Sequence, residues 1–179
     1  MSEDARTDSG SPTPSPGRFQ VIPAAYVLLR RGRAVAPSGH DEVLLQLRRG
    51  TGYFDGHWAA GAAGHVEPGE SVFAAAAREA HEELGVTIMA AALHPITAMH
   101  RTNGNGQPID ERVDFFFECR EWSGTPALQE DKAADLAWFP LDALPTPVVP
   151  HELFVLDGLR TGTLAATVAY GFPGTALSG

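Results

Sequence analysis

The chain holds a single cysteine, Cys119, among 179 residues. That excludes an intrachain disulfide and a thiolate zinc cluster. The preceding Phe115-Phe116-Phe117-Glu118 reads as a strand in which the thiol is apolar filler. Long hydrophobic runs are missing as well: nothing approaches the ~18 residues of a bilayer span, so no membrane partner is expected. Residues 1–17 lack the apolar stretch of a signal peptide, which makes the cytoplasm the expected compartment. Positive charge is in deficit, with 13 Lys and Arg against 22 Asp and Glu and a formal net charge of −9. Such a surface repels a phosphate backbone, so nucleic acid is not an expected partner. Small anionic substrates remain open to it where bound metal supplies positive charge locally. No GxxxxGK[ST] run is present to wrap β and γ phosphates, and no internal repeat is visible.

What is present suffices for one domain with a proper core. Residues 1–17 (MSEDARTDSGSPTPSPG) cannot bury enough apolar surface to offset ordering entropy and are expected to be disordered. The domain is expected over residues 18–165 and a C-terminal tail over 166–179. Residues 19–30 read as a buried strand interrupted at Pro23, and 42–48 (EVLLQLR) as a second strand. The glycine-rich stretch 50–69 has little secondary-structure preference and reads as one long loop, of a kind that is usually functional. A helix is expected from Ser71 to Gly85, the glycine suiting a left-handed cap. Further strands are expected at 96–101, 111–120 and 136–139, and a second helix at 152–159. The fold class is therefore α/β.

On a helix at about 100° per residue, Glu79, Glu82 and Glu83 fall within an arc of about 100°. Phe73, Ala77, Ala80 and Leu84 gather on the far side as a stripe that can pack on a sheet. Three carboxylates this close repel one another unless a divalent cation neutralises them, and hard oxygen ligands suit Mg²⁺ or Mn²⁺. A solvated helix face with an Arg78–Glu82 pair is the plainer alternative. A zinc-protease helix is excluded, because Gly85 stands where the second His would be needed after His81-Glu82.

Residues 64–86 read GHVEPGESVFAAAAREAHEELGV, with Gly64, Glu70, Arg78, Glu79, Glu82, Glu83 and Gly85 at fixed spacings. At background frequencies of about 5–9 % per residue type, a chance match is rarer than about one in a million. The pattern, G-x5-E-x7-R-E-U-x-E-E-x-G-U with Ala80 and Val86 at the apolar U positions, resembles the signature box of the Nudix hydrolases. The resemblance implies an α/β/α sandwich with a mixed sheet and a catalytic loop-helix. It also implies a Mg²⁺-dependent enzyme, with Mn²⁺ as a substitute, that hydrolyses a diphosphate bond in a nucleotide or related compound. By that resemblance Gly64 offers its carbonyl to metal beside Glu79, Glu82 and Glu83, while Glu70 and Arg78 pair to hold the loop on the helix. Glu79 is the first choice of general base and Glu130 the second, its alternative being an ordinary surface charge.

Family subgroups carry further markers, and here they are sparse. The run Ala59-Ala60-Gly61-Ala62-Ala63-Gly64 replaces a frequent PGG. Thr102 stands where ADP-ribose hydrolases often carry proline, and no tyrosine or arginine-rich marker points to dinucleoside polyphosphates or coenzyme A. Nucleoside-triphosphate-cleaving members are the nearest in pattern, through residues 52–58 (GYFDGHW) and 136–142 (LAWFPLD). The Trp-Pro-Asp-Asp run that reads an oxidised purine becomes Val149-Pro150-His151-Glu152, so a strong preference for such a base is not expected. Tyr53, Phe54 and Trp58 are candidates for stacking on a base. Arg48, Arg49, Arg101 and Arg112 are phosphate-binding candidates, and His65 is another group able to approach a phosphate. The expected partner is a nucleotide or nucleoside diphosphate derivative, bound by a monomer or a homodimer. Two rivals are an inactive sensor or interaction module of the same fold and an isopentenyl diphosphate isomerase. The first would lack box carboxylates, and the second needs a catalytic cysteine in a context that Cys119 does not provide.

Overall fold

A computed structural model describes residues 19–32, 40–107 and 110–173. The segment 1–17 lies outside the described residues. The elements run β1 (Ile22–Arg31), β2 (Glu42–Arg48), β3 (Trp58–Ala60), β4 (Ala62–His65), α1 (Val72–Leu84), β5 (Leu93–Arg101), β6 (Arg112–Cys119), β7 (Ala133–Pro140), α2 (Pro150–Thr161) and β8 (Thr167–Tyr170). The mixed sheet follows the order β3-β2-β1-β6-β5-β8, with β4 pairing β1 and β7 pairing β2.

β1 is the hinge of this sheet. Near its end it meets β2, Arg30 opposite Val43. Over Ala24–Val27 it pairs instead with β4, antiparallel, while its other edge runs parallel to β6. The strand is buried on both faces, as the apolar run Ala24–Leu29 requires. Alternation divides it between two cores. Ala25, Val27 and Leu29 meet Ala75, Ala76, Ala80 and Leu84 of α1, joined by Phe117 and Cys119 of β6. Ala24, Tyr26 and Leu28 meet Val155 and Leu156 of α2, joined by Met99 and Phe116. One helix on each face makes the α/β/α sandwich. Each fully buried Leu here contributes roughly 1.5–3 kcal/mol.

Four expectations change. Pro23 does not interrupt β1: it sits at the second position, where the missing N–H is harmless, and its carbonyl accepts from Val66 N at 3.1 Å. The stretch 50–69 is not all loop, because β3 and β4 lie within it. Alanine and glycine carry no strand preference, so pairing with β2 and β1 imposes the extended form. The segment from 166 is not all tail either, since Thr167–Tyr170 adds a parallel strand beside β5. Finally, α1 is rotated from the expected stripe. Ala80 and Leu84 are buried as expected, but Ala75, Ala76 and Glu79 are buried with them. Phe73 is partly exposed and meets Phe117 of β6 only at the edge of the core, 4.9 Å between rings. Small alanines let the helix lie close to the sheet, and Glu79 goes under with them. No helix among the described residues is long and apolar enough to cross a membrane.

Candidate active site

Both ends of α1 are fixed by local chemistry. Ser71 caps the first turn by accepting from Ala74 N at 3.1 Å, and Gly85 closes the last at φ 69°. This sets the register of the acidic residues, and Arg78 then gathers them. Its Nε donates to Glu70 Oε1 at 3.0 Å and its Nη1 to Glu79 Oε1 at 2.8 Å and Glu82 Oε2 at 3.0 Å. Its Nη2 donates to the His65 carbonyl at 3.0 Å and to Glu70 Oε2 at 3.1 Å. One guanidinium thus ties β4, the following loop and the helix together. Glu70 is held below the usual carboxylate range by the hydrogen bond from Arg78, and Glu70 Oε2 also accepts from Glu67 N at 3.1 Å.

The three helix carboxylates differ in their surroundings. Glu82 is half exposed and, among the described residues, its carboxylate is bonded to Arg78. Glu79 is buried, and burial pushes its carboxyl above the ordinary range despite the guanidinium beside it. Glu83 turns inward, where Oε2 accepts from Ala63 N at 3.0 Å and Gln46 Nε2 at 3.4 Å. Burial raises Glu83 to about 7. Gly64 faces Glu79 so closely that a Cβ there would collide with the carboxylate.

Beside this wall lies a cavity of about 500 Å³. Gly64, Glu79 and Glu83 line its acidic side, and Tyr26, Arg112 and Glu152 line the other. Behind the second wall is a buried polar cluster. Arg101 Nε donates to Asp114 Oδ2, and both side chains are sealed from solvent. Tyr26 Oη lies 3.4 Å from His151 Nε2. Burial lowers His151 to about 2, keeping it neutral, and raises Glu152 to about 7 while Glu152 accepts from Ala60 N.

The remaining expected residues divide. Tyr53 and His65 line the cavity, and so does Arg48. Arg48 is occupied, however: Nε donates to the Tyr53 carbonyl at 2.8 Å and Nη2 to Thr51 Oγ1 at 3.1 Å, with its guanidinium 5.6 Å from the Tyr53 ring. It shapes the loop that carries Tyr53. Phe54 in that loop has φ 50°, a strained value for a non-glycine residue. Trp58 packs edge-on against Phe139 at 4.7 Å in the α2-side core and does not line the cavity. Glu130 pairs with Lys132 Nζ at 2.7 Å; Lys132 reaches the cavity wall and Glu130 does not. Sequence reasoning passed over Tyr26, Gln46, Asp114, Lys132 and Glu152 as site residues. The only signal available for Glu152 was its place in the Val149-Pro150-His151-Glu152 run at the start of α2.

Residues 23–156 match the model of the NUDIX domain. The chain is 33% identical over 126 residues to the NAD-capped RNA hydrolase NudC of Pseudomonas aeruginosa, covering 70% of this chain and 38% of that protein. It is 33% identical over 157 residues to the human 8-oxo-dGDP phosphatase NUDT18, covering 83% of this chain and 42% of that protein. A MutT NUDIX hydrolase from Burkholderia pseudomallei superposes with a TM-score of 0.65 at 24% identity, over 77% of this chain and 97% of that one. The chain belongs to the Nudix family. It spans less than half the length of these two curated relatives.

Enzymes of this family generally use divalent metal ions, and the donor set here fits one. Glu79 and Glu83 are carboxylates made costly as anions by burial. The Gly64 backbone is open beside them because a side chain would not fit. Among the described residues no three His, Cys, Asp or Glu converge into a finished cage. Arg78 is bonded to both Glu79 and Glu82, while Glu83 is bound to the Ala63 backbone.

Proposed function

We propose that this chain is a Mg²⁺-dependent hydrolase that cleaves a diphosphate linkage in a nucleoside triphosphate or other nucleoside diphosphate derivative, by attack of water at phosphorus. The observation that carries the reading is the placement of Glu79 and Glu83, with the Gly64 backbone, on the wall of a nucleotide-sized cavity. Gly64, Glu79, Glu82 and Glu83 would hold the metal. When bound, it neutralises charge on the phosphate oxygens and acidifies the attacking water.

The side chains have separable parts in this scheme. Arg78 fixes the positions of Glu70, Glu79 and Glu82 and keeps the loop after β4 against the helix. Glu79 is the base that takes the proton of water, since it lines the cavity and burial raises its proton affinity. Glu130, paired to Lys132 away from the lining, is the second choice. Tyr53 offers a ring for the base or sugar, and His65 lies beside the phosphate path. The relatives' names include one substrate borne on RNA and one free nucleotide. A net charge of −9 favours the free nucleotide. The completeness of the carboxylate set argues against a sensor that has lost catalysis.

The test is a panel of nucleoside di- and triphosphates, nucleotide sugars, dinucleotides and coenzyme A, with Mg²⁺ and with EDTA, read by phosphate and pyrophosphate release. Turnover of at least one class that stops in EDTA is the expected result. Binding without turnover across the panel would leave the sensor reading in its place.

A further inference from the structure

Among the arginines and lysine lining the cavity, Arg112 is the one whose side chain makes no hydrogen bond among the described residues. Arg112 opens β6, opposite Ile22 of β1 and Arg101 of β5. Its side chain is 20% exposed and lines the cavity. Its buried Nε has no hydrogen-bond partner, and neither does Asp114 Oδ1. These two atoms are 3.8 Å apart, beyond hydrogen-bond reach. Asp114 is already bonded to Arg101 through its other oxygen.

The other Arg and Lys side chains that line the cavity are occupied. Arg48 bonds its own loop, Arg78 bonds the box carboxylates, and Lys132 pairs with Glu130. Among the described residues the guanidinium–ring contacts are those of Arg31 and Arg48, so Arg112 does not stack either. A buried guanidinium Nε that faces the Asp114 carboxylate at 3.8 Å without a hydrogen bond is incompletely satisfied, and an anionic oxygen pair such as a phosphate presents suits the rest of the fork.

Its position suits a phosphate chain. Strands β4, β1 and β6 are adjacent, and Arg112 is offset by two to three residues along β1 from the Gly64–His65 pair, so their backbones stand roughly 12–14 Å apart. A long arginine side chain and a phosphate group bridge that gap. The opposite wall, with Glu79 and Glu83, is where the scissile linkage sits under the proposed function.

We propose that Arg112 binds the terminal phosphate of the substrate, which makes the preferred substrates nucleoside di- or triphosphates with a free end in place of dinucleotides. A terminal phosphate carries nearly two negative charges at neutral pH, whereas each phosphate of a dinucleotide bridge carries one. The fork of Arg112 therefore discriminates between them. This inference rests on the hydrolase reading for its direction of binding, and its test separates the two.

Arg112→Ala, Arg112→Gln and Arg112→Lys are compared with wild type on a nucleoside triphosphate, a nucleoside diphosphate and a dinucleotide such as NAD. Loss of a charge-assisted fork should raise KM for the two free-ended substrates roughly 10- to 100-fold, with kcat changed only a few-fold. The loss on the dinucleotide should be at least several-fold smaller, and Arg112→Lys should recover part of the loss. In parallel, equilibrium dialysis in EDTA reads triphosphate affinity without turnover, and it should fall in the same order across the variants. Thermal midpoints confirm folding; the Lys and Gln variants serve where Ala does not fold. Equal losses on both substrate classes, or unchanged triphosphate binding, would overturn the assignment. Arg112-dependent triphosphate binding in a protein that hydrolyses nothing would uphold it while removing the hydrolase reading.

Discussion

The two walls of the cavity are built in opposite ways. The acidic wall comes from a single stretch, residues 64–83, in which Arg78 serves three carboxylates and water reaches the outer one. The opposite wall is assembled from β1, β3, β5, β6 and α2. There Arg101, Asp114, Tyr26, His151 and Glu152 are all buried. The first wall can lose a charge without losing its packing. The second cannot, since each of its groups was desolvated on folding and relies on its partners. Chemistry and stability should therefore separate under mutation.

The largest effects are expected on the acidic wall, in turnover. Glu83→Gln and Glu82→Gln each remove a charge that the proposed function assigns to the metal and no apolar core packing, so kcat should fall by about 10²- to 10⁴-fold with the thermal midpoint nearly unchanged. Steady-state kinetics beside a melting curve checks both halves. Near-normal turnover at saturating Mg²⁺ in either variant would break the metal assignment. Gly64→Ala should act in the same direction, because its Cβ collides with Glu79, and here some loss of stability should accompany the loss of kcat.

The buried wall should answer in stability. Asp114→Ala leaves the Arg101 charge, 2% exposed, without its carboxylate. A cost of about 3–5 kcal/mol is expected from stranding a buried charge, measurable by urea unfolding. A cost below about 1 kcal/mol would mean that the pair is not closed in solution. Smaller again is Gly85→Ala. Residue 85 holds φ 69° and a Cβ there would press on Gln129, so about 1 kcal/mol should be lost, with kcat retained. At the bottom of the scale, Asp157→Asn breaks an exposed pair with Arg160 and should move stability by less than about 0.5 kcal/mol.

The same contrast explains what could be read before folding. The acidic wall is local: helix periodicity, a serine cap and a glycine stop place Glu79, Glu82 and Glu83 from spacing alone. Even so, the rotation that buries Glu79 was not legible, because it depends on how closely Ala75, Ala76 and Ala80 approach the sheet. β2 was plain from EVLLQLR, whereas β3 and β4 were hidden, their alanines and glycines being extended only by their partners. The far wall carries no local signal. Asp114 lies within an apolar strand and Glu152 beside a proline at a helix start. They meet Tyr26 and Arg101 only through the order of β1, β6 and β5. Arg48 and Trp58 show the converse. Each had the right chemistry for ligand, and each is taken up by the fold, one by its loop and the other by Phe139.

Under the proposed function, water attacks an internal phosphorus of a substrate held against the acidic wall. That attack is tested most directly by hydrolysing a nucleoside triphosphate in ¹⁸O-water with Mg²⁺ and reading the products by mass spectrometry. Nucleoside monophosphate and pyrophosphate are expected, one of them carrying the label and so identifying the attacked phosphorus. Nucleoside diphosphate and labelled orthophosphate as the first products would contradict it, even if the reaction required Mg²⁺.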